Sequence, residues 1–338
     1  MKVAVLGCGA IGSLILGYLS KQGRNVLGIV RDYQKEPLLN DGLNIEGVCG
    51  SHNIEVRVDT KLKETVDLAI FATKIDDIKE AIRDNYEFLN DSVVLSTQNG
   101  IQADYILNEF FGKEKIISGI VMFGATFYGP NKVVHNFKGD FILGNVYNTR
   151  VETLDKTKEL LGLSFNVSSL ENIKGAKYLK LFINLNNCLP AILGISLQEA
   201  FGDLELAKLA IQLNKEAYKA LTKSNTELAS LPSYPKERIS GLVNMPINEA
   251  ARLFSKIMTN LSKEPLYGSI LQSIKRGKKS EIDYINGEIV NLAGVAKIDA
   301  PLNRRIVELV HKVEDEGKFL FKQELLSEAK GVVSYEEL

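Results

Sequence analysis

VAVLGCGAIGSLILGYL, residues 3–19, is the stretch of sequence that decides the fold. Its first four residues form an apolar run typical of a buried β-strand, and an apolar helical pattern follows from Ser13 to Leu19. Between them, Gly7-Cys8-Gly9-Ala10-Ile11-Gly12 has the spacing G-x-G-x-x-G. In this context the glycines permit a tight turn, the approach of a pyrophosphate and close helix–strand packing, and the helix N terminus supplies N–H donors. We predict a dinucleotide-binding loop, although glycine-rich turns also occur without a ligand.

The N-terminal part of the chain continues this pattern. Short apolar runs alternate with helical segments there, as in βαβ units around a parallel sheet. The segment 116–127 and those around Val133 and Phe141 are predicted to be further extended strands that enlarge the same sheet. The runs rich in Val, Ile and Leu that predict parallel strands lie at 3–6, 26–30, 68–72 and 93–96.

The C-terminal part has a different pattern. After about Ser169, apolar residues recur at helical spacing, and strand-like runs disappear except near Val332. The prolines of 231–246 predict a loop. Helices are predicted at 175–189, 199–224, 247–261, 280–292 and 301–316. The fold class that follows is α/β, with a Rossmann-like parallel-sheet domain over 1–170 and an all-helical domain over 171–338.

Composition narrows the classes of function. With 41 Lys and Arg against 42 Asp and Glu, no general attraction to nucleic acid or to an anionic membrane is expected. No apolar run approaches the roughly 18 residues of a membrane span. Met1 leads directly into a strand without a signal-like segment, so we expect a cytoplasmic protein. The 3 cysteines and 3 histidines are too scattered to predict a disulfide framework, a metal site or a catalytic triad. The oligomeric state is left open, a homodimer included.

The end of the second predicted strand bears on which dinucleotide binds. NADP enzymes often place a basic residue there for the ribose 2′-phosphate, and NAD enzymes an acidic one for the ribose hydroxyl. Arg31 offers a planar cationic fork, so we predict NADP(H). The alternative is NAD bound by Asp32, with Arg31 as a solvated surface charge. Lys74 and Asn99 follow later strands at the carboxyl edge, where α/β sheets bind ligands, although each alone would be an ordinary loop residue.

Polar residues interrupt two predicted helices of the C-terminal domain. Lys180, Asn184 and Asn187 fall at i, i+4 and i+7 and so share one helix face, which is either solvated or turned to a polar substrate. A lysine in that place could stabilise and protonate the oxygen of a ketone that accepts hydride. The segment Ser280-Glu281-Ile282-Asp283 predicts a capping box, which leaves Glu281 free to project into a cleft.

These features, in their order along the chain, resemble the ketopantoate reductase family. They are the glycine loop, Lys74, Gln98-Asn99-Gly100, Lys180 to Asn184, and the segment from Ser280 to Gly287. The resemblance covers nearly the whole chain, and its most specific parts are E-I-D-Y-I-N-G and the helical K-x-x-x-N. It implies a Rossmann-like domain and a helical domain, with the substrate bound in the cleft between them. It also implies NADPH as hydride donor and reduction of 2-dehydropantoate, a 2-oxo acid, to (R)-pantoate for pantothenate and coenzyme A synthesis.

The resemblance implies roles for individual residues. Lys180 resembles the family's general acid, and Glu281 resembles the acid that engages the substrate hydroxyl groups. Asn99 and Asn184 match residues that hold the substrate, and Ser269 matches a serine that contacts its carboxylate. The residues expected to contact the cofactor are Gly7, Cys8, Gly9, Ala10, Ile11, Gly12, Arg31, Lys74, Asn99 and Glu281.

Several departures from the family pattern concern the substrate. Leu266 stands where family members have a substrate-binding asparagine, and Ser273 replaces the usual aspartate. The asparagine near Asn187 is displaced by one position, and the stretch 231–246 is longer than in compact members. One alternative is therefore a reductase of another 2-oxo acid or of an imine on the same scaffold. The other, from a different class, is a non-catalytic NADP(H) sensor, which would have no chemical need for Lys180.

Overall fold

The computed structural model describes residues 1–332 and divides into two compact units, Met1–Lys174 and Gly175–Leu338. The first unit contains the β-sheets, and the second is built from helices, so the predicted α/β fold class is confirmed. Among the helices of the described residues, none combines the length and the apolar character that crossing a membrane requires.

Eight strands of the first unit form one sheet, with the order β12-β11-β8-β7-β6-β1-β2-β5. The strands are β1 (Val3–Leu6), β2 (Val26–Ile29), β3 (Leu43–Gly47), β4 (His52–Ile54), β5 (Val58–Asp59), β6 (Leu68–Phe71), β7 (Val93–Ser96), β8 (Ile116–Val121), β9 (Gly124–Gly129), β10 (Lys132–Phe137), β11 (Asp140–Gly144) and β12 (Asn166–Ser169). Neighbours run parallel, except that β11 is antiparallel to β8. The central strands β1 and β6 are buried at every residue, which explains their continuous apolar sequence.

The prediction that the segment after residue 116 enlarges this sheet is wrong in part. Strands β8 and β11 join it, but β9 and β10 pair with β3 and β4 in a separate sheet, β4-β3-β10-β9. The helices of the unit are α1 (Ala10–Lys21), α2 (Asp32–Asp41), α3 (Ile78–Leu89), α4 (Gln102–Asn108) and α5 (Leu154–Gly162). The separate sheet packs on α1, where a Cβ at Gly17 would lie 2.5 Å from Cδ1 of Ile45.

The second unit packs around a long helix, α9, against which α11, α13 and α14 lie. Its helices are α6 (Ile173–Leu185), α7 (Cys188–Leu193), α8 (Leu197–Gly202), α9 (Leu204–Lys223), α10 (Glu237–Asn244), α11 (Ile247–Thr259), α12 (Ser269–Lys275), α13 (Asn286–Val295), α14 (Pro301–Glu316) and α15 (Lys322–Lys330). Helix α14 has the predicted bounds, and Pro301 occupies its first turn, where a missing N–H costs nothing.

Several predicted helices are shorter than expected. The helix predicted at 175–189 ends early and is followed by α7, and the one predicted at 199–224 is divided into α8 and α9. The second break lies at Asp203, whose carboxylate accepts hydrogen bonds from the first N–H groups of α9. The predicted loop at 231–246 is wrong in part, because it contains α10. The strand-like tail predicted near Val332 lies almost entirely outside the described residues.

Candidate active site

The glycines of the loop between β1 and α1 differ in what surrounds them. Gly7 has φ +91°, and a Cβ there would lie 2.6 Å from Cγ2 of Thr73. A Cβ at Gly12 would overlap the carbonyl oxygen of Gly7. A Cβ at Gly9, in contrast, would meet no other atom within 4 Å, and no described side chain caps the N terminus of α1. The fold itself therefore requires the first and third glycines, whereas the second fits a loop that a pyrophosphate approaches.

A buried glutamine fixes this loop to the end of β2. Gln34, only 4% exposed, donates from Nε2 to the carbonyl oxygen of Cys8 at 2.9 Å. Its Oε1 accepts the backbone N–H of Arg31 at 3.4 Å. Sequence reasoning missed Gln34, although its place as the third residue of α2, three after Arg31, is where a capping-box side chain occurs.

Arg31 precedes α2 and extends its guanidinium into solvent. Its Nη2 lies 3.1 Å from Oδ2 of Asp77, and its side chain is 69% exposed. Lys35, one turn further along α2, instead binds Asp59 with an N–O distance of 2.7 Å. Asp32 is exposed at the first position of α2. Arg31 is therefore the cation at this strand end with an accessible fork, and Asp77 is the anion that a phosphate would have to displace.

Strand register brings the other predicted cofactor residues to the same edge. Leu6, the last residue of β1, pairs with Phe71, and Phe71 pairs with Ser96 in the next strand. Lys74 and Asn99 each follow their strand by three residues, as Gly9 follows β1. Lys74 is exposed and Asn99 is half-buried.

Gln98 has a structural part at this edge. The buried Gln98 amide donates to the carbonyl oxygens of Phe71 at 3.0 Å and Thr73 at 2.9 Å. These bonds join the carboxyl ends of β6 and β7. The hydroxyl of Thr73, beneath the glycine loop, is buried and has no hydrogen-bond partner among the described residues.

In the second unit, Lys180 lies half-buried on α6 beside two charged groups. Burial lowers the pKa of Lys180 to about 8, Glu281 opposes this shift, and the neighbouring ammonium of Lys177 adds to it. The charges of Lys180 and Glu281 therefore act on each other in the folded second unit. A lysine that titrates near neutral pH is suited to donate a proton.

Asparagines at the end of α6 meet the start of α12. Nδ2 of Asn187 lies 3.5 Å from Oδ1 of Asn184. The predicted common helix face does not include Asn187, because α6 ends at Leu185 and Asn187 precedes α7. Gly268 packs on Asn187, because a Cβ there would lie 3.1 Å from the Asn187 Cβ. Ser269 follows as the exposed first residue of α12. The structure therefore places Asn184, Asn187 and Ser269 on adjoining segments.

Leu266 has a fixed backbone just before these residues. Its carbonyl oxygen accepts the N–H of Leu197 at 2.9 Å, and its own N–H donates to Oε1 of Gln198 at 2.9 Å. Its side chain is half-buried. An apolar side chain thus stands three residues before Ser269, where an asparagine would offer an amide.

The capping box predicted at Ser280 and Asp283 is wrong. Residues 282–284 form a turn of 3₁₀ helix with Glu281 at its N-cap, and α13 begins at Asn286. The Ser280 hydroxyl accepts the N–H of Ile282 at 3.3 Å. Asp283 does not cap, because its carboxylate lies 3.0 Å from Nε2 of His311.

The rest of this segment stabilises the helical unit. Nδ2 of buried Asn286 donates to Oδ1 of Asn303 at 3.0 Å, and Asn303 donates to Glu216 at 2.8 Å. Buried Glu288 accepts the Tyr178 hydroxyl at 3.2 Å, which joins α13 to α6. Within residues 1–332, no group of three or more His, Cys, Asp or Glu side chains is placed to hold a metal ion.

Comparison with known proteins matches both units to one family. Residues 3–148 match the family model Ketopantoate reductase PanE/ApbA, and residues 172–314 match Ketopantoate reductase PanE/ApbA C terminal. The 2-dehydropantoate 2-reductase of Pyrococcus horikoshii is 30% identical over 326 residues, which cover 94% of this chain and 99% of that protein. The enzyme of the same name from Aquifex aeolicus is 25% identical, with 93% and 97% covered. The predicted resemblance is confirmed.

Solved structures agree on the fold. D-mandelate dehydrogenase, in a ternary structure with NADH and anilino(oxo)acetate, superposes with a TM-score of 0.79 at 25% identity, covering 94% of this chain and 99% of that one. A PanE/ApbA family ketopantoate reductase from Ralstonia eutropha JMP134 gives 0.79 at 23% identity, with the same coverage. A nicotinamide cofactor follows for this chain from the family and these neighbours.

Proposed function

The chain belongs to the ketopantoate reductase family, and on that premise we propose that it reduces 2-dehydropantoate to (R)-pantoate with NADPH. It is an oxidoreductase, like the named relatives that it matches over nearly their full length. The observation that carries the proposal is the pair of Lys180 and Glu281, in which the pKa of a half-buried lysine is lowered to about 8 and the lysine interacts electrostatically with an acid.

The residues of the first unit fit the cofactor. The backbone at Gly9 and the uncapped N terminus of α1 would hold the pyrophosphate. Arg31 would hold the ribose 2′-phosphate, and Lys74 and Asn99 would lie towards the nicotinamide end of the site. NADPH, when bound, supplies the hydride for the 2-oxo carbon.

The residues of the second unit would handle the substrate and the proton. As the ketone oxygen gains negative charge, the ammonium of Lys180 stabilises it and transfers a proton to it, leaving a neutral amine and an alcohol. With a pKa of about 8, most of the lysine is protonated at neutral pH, and its ammonium is a stronger acid than that of an ordinary lysine. Glu281 would accept hydrogen bonds from the substrate hydroxyls, and Asn184 and Ser269 would hold its polar groups.

A second candidate is reduction of a 2-oxo acid with an apolar or aromatic side chain. Leu266 favours it, because an apolar group stands where the family pattern has an amide. The similarity to D-mandelate dehydrogenase supports it as well, since that structure holds anilino(oxo)acetate and NADH.

Loss of NADPH absorbance with purified protein and a panel of 2-oxo acids tests both candidates. The panel contains 2-dehydropantoate and phenylglyoxylate, each with NADPH and with NADH. We expect 2-dehydropantoate with NADPH to give the highest kcat/KM. A higher value for phenylglyoxylate would transfer the assignment to the second candidate, and cofactor binding without turnover of any 2-oxo acid would indicate a sensor.

A further inference from the structure

Helix α14 presents two residues, one helical turn apart, to the turn that carries Glu281. Oε1 of Glu314 accepts the backbone N–H of Ser280 at 2.7 Å. Nε2 of His311 lies 3.0 Å from Oδ1 of Asp283. Nδ1 of the same ring lies 3.3 Å from Oε2 of Glu314. We call these three contacts the α14 clamp.

The clamp holds the chain on both sides of Glu281. Ser280 directly precedes Glu281 and is buried, and Asp283 follows it by two residues. Within the turn, the N–H of Tyr284 donates to the Glu281 carbonyl oxygen at 3.0 Å. The backbone of Glu281 is therefore fixed at both ends by α14, and a loss of the clamp would free the direction of its side chain.

The protonation state of His311 determines how many hydrogen bonds of the α14 clamp form. Each ring nitrogen faces a carboxylate oxygen, and a neutral imidazole has one N–H and can donate to one of them. The imidazolium donates to both. Burial alone would lower the pKa of His311, but the hydrogen bonds and charges of Asp283 and Glu314 outweigh burial and raise it.

The other groups around α14 bind elsewhere. Asp283, on the turn, and Glu314, on its own helix, are the charged groups that shift the proton affinity of His311. Helix α7, which also packs on α14, has no charged residue. The acidic residues of the remaining neighbours have other partners. They are Glu205 and Glu216 of α9, which contact Lys322 and Asn303, Glu288 of α13, which contacts Tyr178, and Glu324 and Glu328 of α15, which contact the N–H of Phe321 and Arg305.

We propose that protonated His311 is a positioning residue, which holds the turn at 280–284 and thereby aims Glu281 at the substrate. The proposal rests on the proposed role of Glu281 in substrate binding. His311 does not touch the reacting atoms, so its loss should weaken substrate binding more than the chemical step.

The sign of the pH dependence follows from the raised pKa. Below the pKa of His311 in the folded protein, both hydrogen bonds of the ring are present. As pH rises through that pKa, one of them is lost, so KM for the 2-oxo acid should rise. This change should appear in KM, whereas loss of the Lys180 proton should appear in kcat.

Kinetics of three variants test the proposal. At about pH 6, His311→Gln should raise KM about 10-fold while kcat falls less than about 3-fold and the Kd of NADPH is unchanged. His311→Arg keeps a cation at every pH, so KM should lose its rise at high pH. Arg305→Gln is the control, because it removes ion pairs of a side chain equally exposed on the same helix, 31% against 33% for His311. A loss of thermal stability with an unchanged KM is expected for this control.

Two results would overturn the proposal. One is a KM for His311→Gln that matches the wild type, and the other is an alkaline rise in KM that persists in His311→Arg. Should His311→Gln fail to fold, Asp283→Asn serves in its place, because that side chain is 54% exposed and its loss removes one contact of the clamp.

A measurement without substrate separates this proposal from the assigned reaction. The chain has 3 histidines, so their NMR titrations can be assigned with single variants. We expect the pKa of His311 to lie above the ordinary value and to fall in Asp283→Asn. Amide exchange at 282–285 should be faster in His311→Gln than in wild type. An ordinary His311 pKa with unchanged exchange would refute the clamp, whereas absence of turnover with these expected results would refute only the assigned reaction.

Discussion

The glycine loop of the first unit and the polar cluster of the second differ in the atoms that they offer to a ligand. The loop offers backbone N–H groups, and its ability to fold and to bind a ligand depends on the space around Gly7, Gly9 and Gly12. The cluster around Lys180 and Glu281 offers charges and protons on side chains. Ligand binding at the backbone site should therefore be lost when a substitution fills space, whereas the function of the side-chain site should be lost when a substitution removes a charge. Substitutions can distinguish these two effects.

The largest effect is expected at Lys180. Lys180→Ala should lower kcat by about 10²- to 10⁴-fold, as loss of a general acid does, while the Kd of NADPH stays unchanged. Steady-state kinetics and fluorescence titration of NADPH measure the two quantities. Lys208→Ala, which removes another half-buried lysine, from α9, is the control and should leave kcat unchanged. Wild-type turnover in Lys180→Ala would remove this lysine from the mechanism.

Two glycines of the loop should respond to the same substitution in opposite ways. Gly9→Ala adds a methyl group that meets no atom of the protein within 4 Å, so thermal unfolding should be unchanged while NADPH binds at least about 10-fold more weakly. Gly12→Ala drives a methyl group into the Gly7 carbonyl, so it should lower the free energy of unfolding by about 1–3 kcal/mol. Calorimetry and NADPH titration of both variants test this. Unchanged NADPH binding in Gly9→Ala would contradict a pyrophosphate at this loop.

A smaller effect is expected on the choice of cofactor. Arg31→Gln should reduce the preference for NADPH over NADH about 10-fold, because it removes a charge-assisted contact with the 2′-phosphate and leaves NADH binding intact. The measurement is kcat/KM with each cofactor. Lys35→Gln, one helical turn further along the chain, is the matched control, since Lys35 is bound to Asp59. NAD bound through Asp32 would be favoured if Asp32→Asn lost activity with NADH while Arg31→Gln left kcat/KM with both cofactors unchanged.

Sequence patterns predicted the elements whose structure depends on residues close together in the chain. The strand at Val3–Leu6 and the helix at Pro301–Glu316 agree with the structure residue by residue, because a continuous apolar run and a first-turn proline are visible in the sequence itself. The second sheet was missed, since β3 and β4 are short and partly exposed and β3 pairs with β10 from far along the chain. Long-range pairing of this kind leaves no periodic signal.

The candidate site shows the same division. The glycine loop was predicted from spacing, because each glycine acts through its own backbone. The hydrogen bond from Gln34 to the Cys8 carbonyl oxygen was missed, because these residues are 26 positions apart. Asp283 was assigned to a capping box because its partner His311 lies 28 positions away. Family resemblance supplied Lys180 and Glu281, but their electrostatic contact becomes visible only once α6 and the turn before α13 are packed.

The smallest expected effect is a shift in the pH dependence of kcat, and it tests whether neighbouring charge helps to set the pKa of Lys180. The ammonium of Lys177 helps to lower the pKa of Lys180, although burial is the larger cause. Because a general acid must be protonated, kcat should fall as pH rises through the pKa of Lys180. Lys177→Gln removes one repelling charge, so this fall should move to higher pH by a fraction of a unit, with kcat at about pH 6 unchanged. A kcat profile from about pH 6 to about pH 10 measures the shift, and movement to lower pH would show that packing around Lys177 matters more than its charge.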